Sequence, residues 1–210
     1  MHIPDGFLSP SVTVPAWGLA APLWYWAVRR HFGRSSTESL PVVGALTALA
    51  FVVQSIMIPT PGGTSTHLTG VALLAIVYNP GVAFVFESLV LLLQALFFGA
   101  GGFTVLGVNA IALGLLGPTA AWLVDRALRR ASPRLAAFVG AYVGLQVSTL
   151  AVALVLGLQH QLSATYMPVP LPVTLVAMMV PSLAVVGVIE GLYTVATLAL
   201  LRKARLLDVA

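Results

Sequence analysis

The chain of 210 residues is 59% hydrophobic and only 8% charged, too apolar to cover a soluble globule with polar surface, so it reads as an integral membrane protein. Its net charge of +4 does not point to nucleic acid, because the ten basic residues stand beside hydrophobic stretches rather than along a polar face. The absence of cysteine excludes disulfides, thiolate ligands and thiol catalysis, so a bound metal must be held by nitrogen or oxygen.

The chain opens Met1-His2-Ile3-Pro4-Asp5-Gly6. A histidine directly behind a free amino terminus can chelate a divalent ion through the terminal amine, its own deprotonated amide nitrogen and the near imidazole nitrogen. Those three nitrogens lie in one plane, and a fourth completes the square-planar field that suits Ni(II) or Cu(II). Residues 1 to 28 carry no Lys or Arg, so they lack the basic n-region of a secretory signal, and Met1 is expected to be the mature terminus. Pro4 ends the chelating stretch because it has no amide proton, and Gly6 permits a sharp inward turn.

At about 20 apolar residues per helical crossing, seven spans are predicted near residues 8–29, 40–58, 68–79, 82–99, 104–125, 135–158 and 171–201. The third is too short to cross alone and stops at Asn79-Pro80-Gly81, a strong break signal. The basic residues form three groups: Arg29, Arg30 and Arg34; Arg126, Arg129, Arg130 and Arg134; Arg202, Lys203 and Arg205. They follow spans 1, 5 and 7, which by the positive-inside rule puts those ends in the cytoplasm and the amino terminus outside. The expected architecture is therefore all-α, a single membrane domain over residues 1–210, with the C-terminus cytoplasmic. His2 and His67 fall on the same, outer side. Ala136, Gly140, Gly144 and Ser148 form a small-xxx-small stripe, echoed by Gly44 and Ala48, which serves either packing inside the bundle or docking of another membrane subunit.

His67 ends a polar loop at a helix entrance and is the natural fourth nitrogen, with Thr64, Ser65 and Thr66 as supports that fix its ring; the competing reading is a helix-start residue with no ligand role. His31 sits among arginines and His160 between glutamines, settings that favour solvated roles. Glu87 and Glu190 lie within spans where an unpaired carboxylate is expensive. They are expected to be neutral in a polar network with Gln94, Gln146 or Asn109, or to face a wet cavity; ion passage or coupling to a partner is the alternative role. There is no His-Glu-x-x-His pair, no Gly-x-Ser-x-Gly elbow and no P-loop, so the chain reads as a non-enzyme without an ATPase of its own.

The opening Met1 to Gly6, the segment Gly63-Thr-Ser-Thr-His-Leu-Thr-Gly70, the stretch Gln94 to Gly102, Leu106-Gly-Val-Asn109 and Glu190-Gly191 resemble, in order, motifs of the NikM/CbiM substrate-binding S components of energy-coupling-factor (ECF) importers. The resemblance covers nearly the whole chain. It implies a seven-helix membrane domain with its N-terminus tucked into the bundle, and Met1, His2 and His67 as ligands. It implies Ni(II) or Co(II) as transported substrate, with no permanently bound cofactor. It further implies a transmembrane coupling (T) subunit, ATPase (A) subunits, often a small accessory membrane protein, and a bacterial or archaeal plasma membrane. One departure is Ala100, where the family often has aspartate in a Gly-Asp-Gly-Gly turn. From the residues alone, a stand-alone metal carrier or channel and a membrane metal sensor remain rivals.

Overall fold

The computed structural model describes residues 1–31, 40–60 and 64–208. Arg34 and the loop tip 61–63 lie outside the described residues, as does the side chain of Thr64. Seven helices longer than one turn follow in order among the described residues: α1 (Pro10–His31), α2 (Leu40–Gln54), α3 (Val71–Val77), α4 (Pro80–Phe98), α5 (Leu106–Leu128), α6 (Pro133–Leu162) and α7 (Leu171–Lys203). Among the described residues, α4, α5, α6 and α7 are each long and apolar enough to cross a membrane. The remaining helices qualify the expectation of seven crossings. The 15 residues of α2 and the 7 of α3 fall short of a full crossing. α1 has the length, but its Trp, Tyr and Pro content and terminal arginines dilute its hydropathy.

Local chemistry explains the boundaries. Asn79 caps α4 by accepting a hydrogen bond from the Val82 amide at 3.0 Å, and Pro80 supplies the first helical residue. Gly99 ends that helix in the left-handed region (φ 62°), which a side chain would resist. Ser132 and Pro133 repeat the opening device at α6. α5 and α7 are each interrupted by a π-turn, at residues 110–116 and 182–186, and the second directly follows Pro181, whose ring cannot complete the normal helical ladder. At 33 residues, about 50 Å long at 1.5 Å per residue, α7 exceeds a hydrocarbon core and turns most of its length outward.

The all-α expectation needs one amendment. Ile58–Thr60 and Thr64–Thr66 form a two-stranded antiparallel hairpin, β1 and β2, with Ile58 opposite Thr66. This hairpin carries the chain from α2 back toward the bundle and sets His67 at its exit.

The stripe of small residues on α6 is internal packing. A Cβ at Gly144 would lie 2.8 Å from the Gly117 carbonyl oxygen and one at Gly140 would lie 2.7 Å from that of Ala121, so α6 and α5 touch backbone to backbone. Ser148 Oγ closes the seam by donating to the Ala112 carbonyl at 3.1 Å. Gly44 differs, since nothing stands within 4 Å of a Cβ there, and both Gly44 and Ala48 face outward. Replacing Gly144 by leucine should separate α5 from α6 and lower stability by about 1–3 kcal/mol or more, whereas Gly44→Leu should leave it unchanged. Thermal unfolding in detergent compares the two.

The basic ends gather together. One cavity is lined by Arg129 and Arg202 and another by Arg30, His31 and Trp122, so the ends of α1, α5 and α7 meet at one pole of the bundle. Asp125 is buried there and paired with Arg129.

Candidate metal centre

The first nine residues run into the bundle rather than away from it. Met1 and Ile3 are fully buried among Leu145, Val152 and Leu156 of α6 and the start of α5. Asn109 of α5 holds the Ile3 backbone at two points: its Oδ1 accepts from the Ile3 amide and its Nδ2 donates to the Ile3 carbonyl, both at 3.0 Å. Thr149 of α6 donates from its hydroxyl to Met1 Sδ at 2.8 Å, seating that side chain. Asp5 accepts from the amides of Phe103 and Thr104, each at 3.0 Å, and Gly6 turns the chain with φ 88°. Gln159 accepts from the Ser9 amide and hydroxyl at 2.9 Å.

This docking brings His2 against His67. Their ring centroids are 4.5 Å apart with planes inclined by 29°, and both residues are almost wholly buried. His67 Nδ1 lies 2.8 Å from the Leu68 carbonyl oxygen. A carbonyl only accepts, so Nδ1 carries the proton and Nε2 presents its lone pair. That Nε2 and both ring nitrogens of His2 are buried without a hydrogen-bond partner, an expensive condition unless they serve a ligand. The terminal amine of Met1 stands 3.3 Å from Ser65 Oγ. Among the described residues there is no group of three or more His, Cys, Asp and Glu side chains that could hold a metal, so a complete nitrogen set here needs the main-chain nitrogens as well.

Burial disfavours the charged forms of these groups. It alone holds the Met1 amine well below its ordinary 8.0. Burial first, and then the nearby amine charge, lowers His2 from 6.5 to about 3. His67 is held well below 6.5 by burial, then by the amine and by His2. An undocked N-terminus regains its ordinary affinity for protons, so by linkage docking is complete above the ordinary amine value of 8.0, weakens as pH falls below it, and weakens further as pH falls from 6.5, the ordinary histidine value, towards 3. Hydrogen exchange of the N-terminal peptide, corrected for intrinsic rate, should therefore rise between about pH 7 and pH 5, and bound metal should suppress the rise.

A cavity of about 180 Å³ opens beside His2, lined by Pro4, Met57, Pro59, Ser65 and the turn Gly99 to Gly101. Ala100 stands in this wall, so the turn offers no carboxylate to an arriving cation. A Cβ at Gly101 would come within 3.5 Å of His2 Cβ, which makes this turn a tight cover over the histidine.

The supports differ from those expected. Ser65 bonds the amine rather than the His67 ring, Thr66 Oγ1 is buried without a partner, and the Leu68 carbonyl directs the ring. Glu87 and Glu190 are fully buried, but neither bonds Gln94, Gln146 or Asn109. Glu87 accepts from Gln54 Nε2 at 2.8 and 3.0 Å, and Glu190 accepts from Thr69 and Gly70. Gln94 is buried with both amide atoms unpartnered, Asn109 serves Ile3, and Gln146 bonds Ser182. His160 lies apart, its Nδ1 donating to the Met167 carbonyl at 2.8 Å. Gln54 and Thr149 join the site without a sequence motif to mark them, while Thr69 lies in the segment Gly63 to Gly70 with nothing to single it out there. A glutamine at the end of an otherwise apolar helix is the available signal for the first.

An apolar helical bundle with four helices long enough to cross a membrane and an inward-folded N-terminus is the architecture of a multi-pass membrane protein. Residues 2–206 match the family model described as the cobalt uptake substrate-specific transmembrane region, CbiM, and the chain belongs to that family of cobalt and nickel transport proteins, not of enzymes. It is 33% identical to the fused nickel transport protein NikMN of Rhodobacter capsulatus over 97% of this chain and 62% of that one. It is also 33% identical to the cobalt transport protein CbiM of Geobacter sulfurreducens, over 98% of this chain and 60% of that one. The chain thus spans about three fifths of these two relatives. A crystal structure of a truncated transition metal transporter superposes with a TM-score of 0.93 at 31% identity, covering 97% of this chain and 99% of the other.

Proposed function

We propose that this chain is the substrate-binding S component of an ECF-type importer, one membrane domain that captures Ni(II) or Co(II) at Met1, His2 and His67. The observation that carries this reading is the burial, side by side, of the Met1 amine and the two imidazoles, with ring nitrogens that have no other partner. The amine, the His2 amide nitrogen, one His2 ring nitrogen and His67 Nε2 supply four nitrogens. Binding releases the His2 amide proton, so affinity falls on acidification. Mg(II) and Ca(II), which want six or more oxygens, find no such set, and Zn(II) prefers a tetrahedron.

The basic pole faces the cytoplasm of a bacterial or archaeal cell and the hairpin pole faces outward, so the cavity beside His2 is the entry. Delivery inward depends on a separate T subunit and ATPase subunits, and the open face at Gly44 and Ala48 is available to such a neighbour. The relative named as a fused NikMN protein supports a small N-type companion as well. Metal uptake into proteoliposomes tests the assignment. Uptake should require ATP and the partner subunits, and flux by this chain alone would favour a self-sufficient carrier.

A further inference from the structure

The centre's second histidine is held from across the bundle. Glu190, fully buried on α7, accepts three hydrogen bonds of 2.8 Å, from the Thr69 amide, the Thr69 hydroxyl and the Gly70 amide. The Thr69 carbonyl accepts from Gln54 Nε2, also at 2.8 Å, and that nitrogen lies against the Glu87 carboxylate. Every polar atom of Thr69 is thereby fixed by α2 or α7, two residues from His67. Gly70 completes the clamp with φ 65° and an approach so close that a Cβ would lie 3.3 Å from Ala50 Cα.

The Thr69 amide and the Leu68 carbonyl belong to one planar peptide unit, and in a trans peptide they point in opposite directions. Glu190 Oε2 receives the N–H of that unit, while its C=O receives the Nδ1 proton of His67. The result is an unbroken line from carboxylate through peptide to imidazole, ending at the free Nε2. Hydrogen bonds in such a chain polarise one another, and a donor–acceptor pair behind a ligating imidazole sets both its direction and its basicity.

We infer that Glu190 is a positioning residue for the metal centre, acting on His67 through the Leu68–Thr69 peptide. The inference rests on the reading of His67 as a metal ligand. It gives a carboxylate buried in the bundle a task other than ion passage. It also links the long α7, whose far end carries Arg202 and Lys203, to the ligand geometry.

A double-mutant cycle on the purified full chain, titrated with Ni(II), tests it. Glu190→Ala should weaken binding about 10- to 100-fold, the usual effect of removing support behind a metal ligand. Glu190→Gln, which keeps one acceptor, should lose clearly less. In a His67→Ala background, where Met1 and His2 still bind weakly, Glu190→Ala should cost under about threefold, because its route to the metal is gone. Equal losses in the two backgrounds, or no loss with His67 present, would overturn the inference. If Glu190→Ala does not fold, the same cycle with Glu190→Gln decides. Failure of the underlying reading is visible separately: His67→Ala alone would then bind Ni(II) like the wild type, and the inference would fall with it.

Discussion

Adding one residue ahead of Met1 should abolish tight Ni(II) binding without unfolding the bundle. The terminal amine is fully buried beside Ser65, and the Met1 side chain fills a core site under Thr149. A further residue moves the amine by about 3.8 Å, turns the old amine into an amide and requires space that the core lacks. Losing a linked nitrogen forfeits the advantage of intramolecular capture, about 10²- to 10⁴-fold in affinity. His2→Ala should match it, since it removes a ring nitrogen from the same chelate. Calorimetric titration measures the loss, and a cooperative melting transition retained in the absence of metal separates it from misfolding.

Asn109→Leu should have the second largest effect. Its amide makes both hydrogen bonds to the Ile3 backbone, and leucine leaves a buried donor and a buried acceptor unpaired. At about 1–3 kcal/mol for each unpaired group, docking of the N-terminus weakens by several kcal/mol and metal affinity falls a hundredfold or more. Asn109→Asp is the informative partner: its carboxylate still accepts from the Ile3 amide but meets the Ile3 carbonyl with no donor, so part of the loss should return. Hydrogen exchange at Ile3 and metal titration should change together in the two variants.

Chemistry held in short segments is legible in the amino-acid sequence. Asn79-Pro80 marks a helix start whatever surrounds it, and the histidine on which the proposed chelate rests stands in plain view at position 2. The hairpin is not legible, because strands of three residues are too short for a two-residue periodicity to declare itself. Nor are the partners of the buried acids. Glu190 meets Thr69 across 121 residues of chain, a pairing set by helix register rather than by any local pattern. The small-residue stripes behave in the same way. The pattern on α6 packs against α5, whereas the pair on α2 faces outward, and only the three-dimensional neighbours distinguish them.

X-ray absorption spectroscopy of the Ni(II)-loaded protein, with its visible spectrum, tests the central claim most directly. A single shell of four nitrogen neighbours with the edge feature of a planar ion is the predicted result, and it should disappear in the chain extended before Met1. Six oxygen or nitrogen neighbours around an octahedral ion, or a spectrum unaffected by the extension, would contradict the terminal chelate.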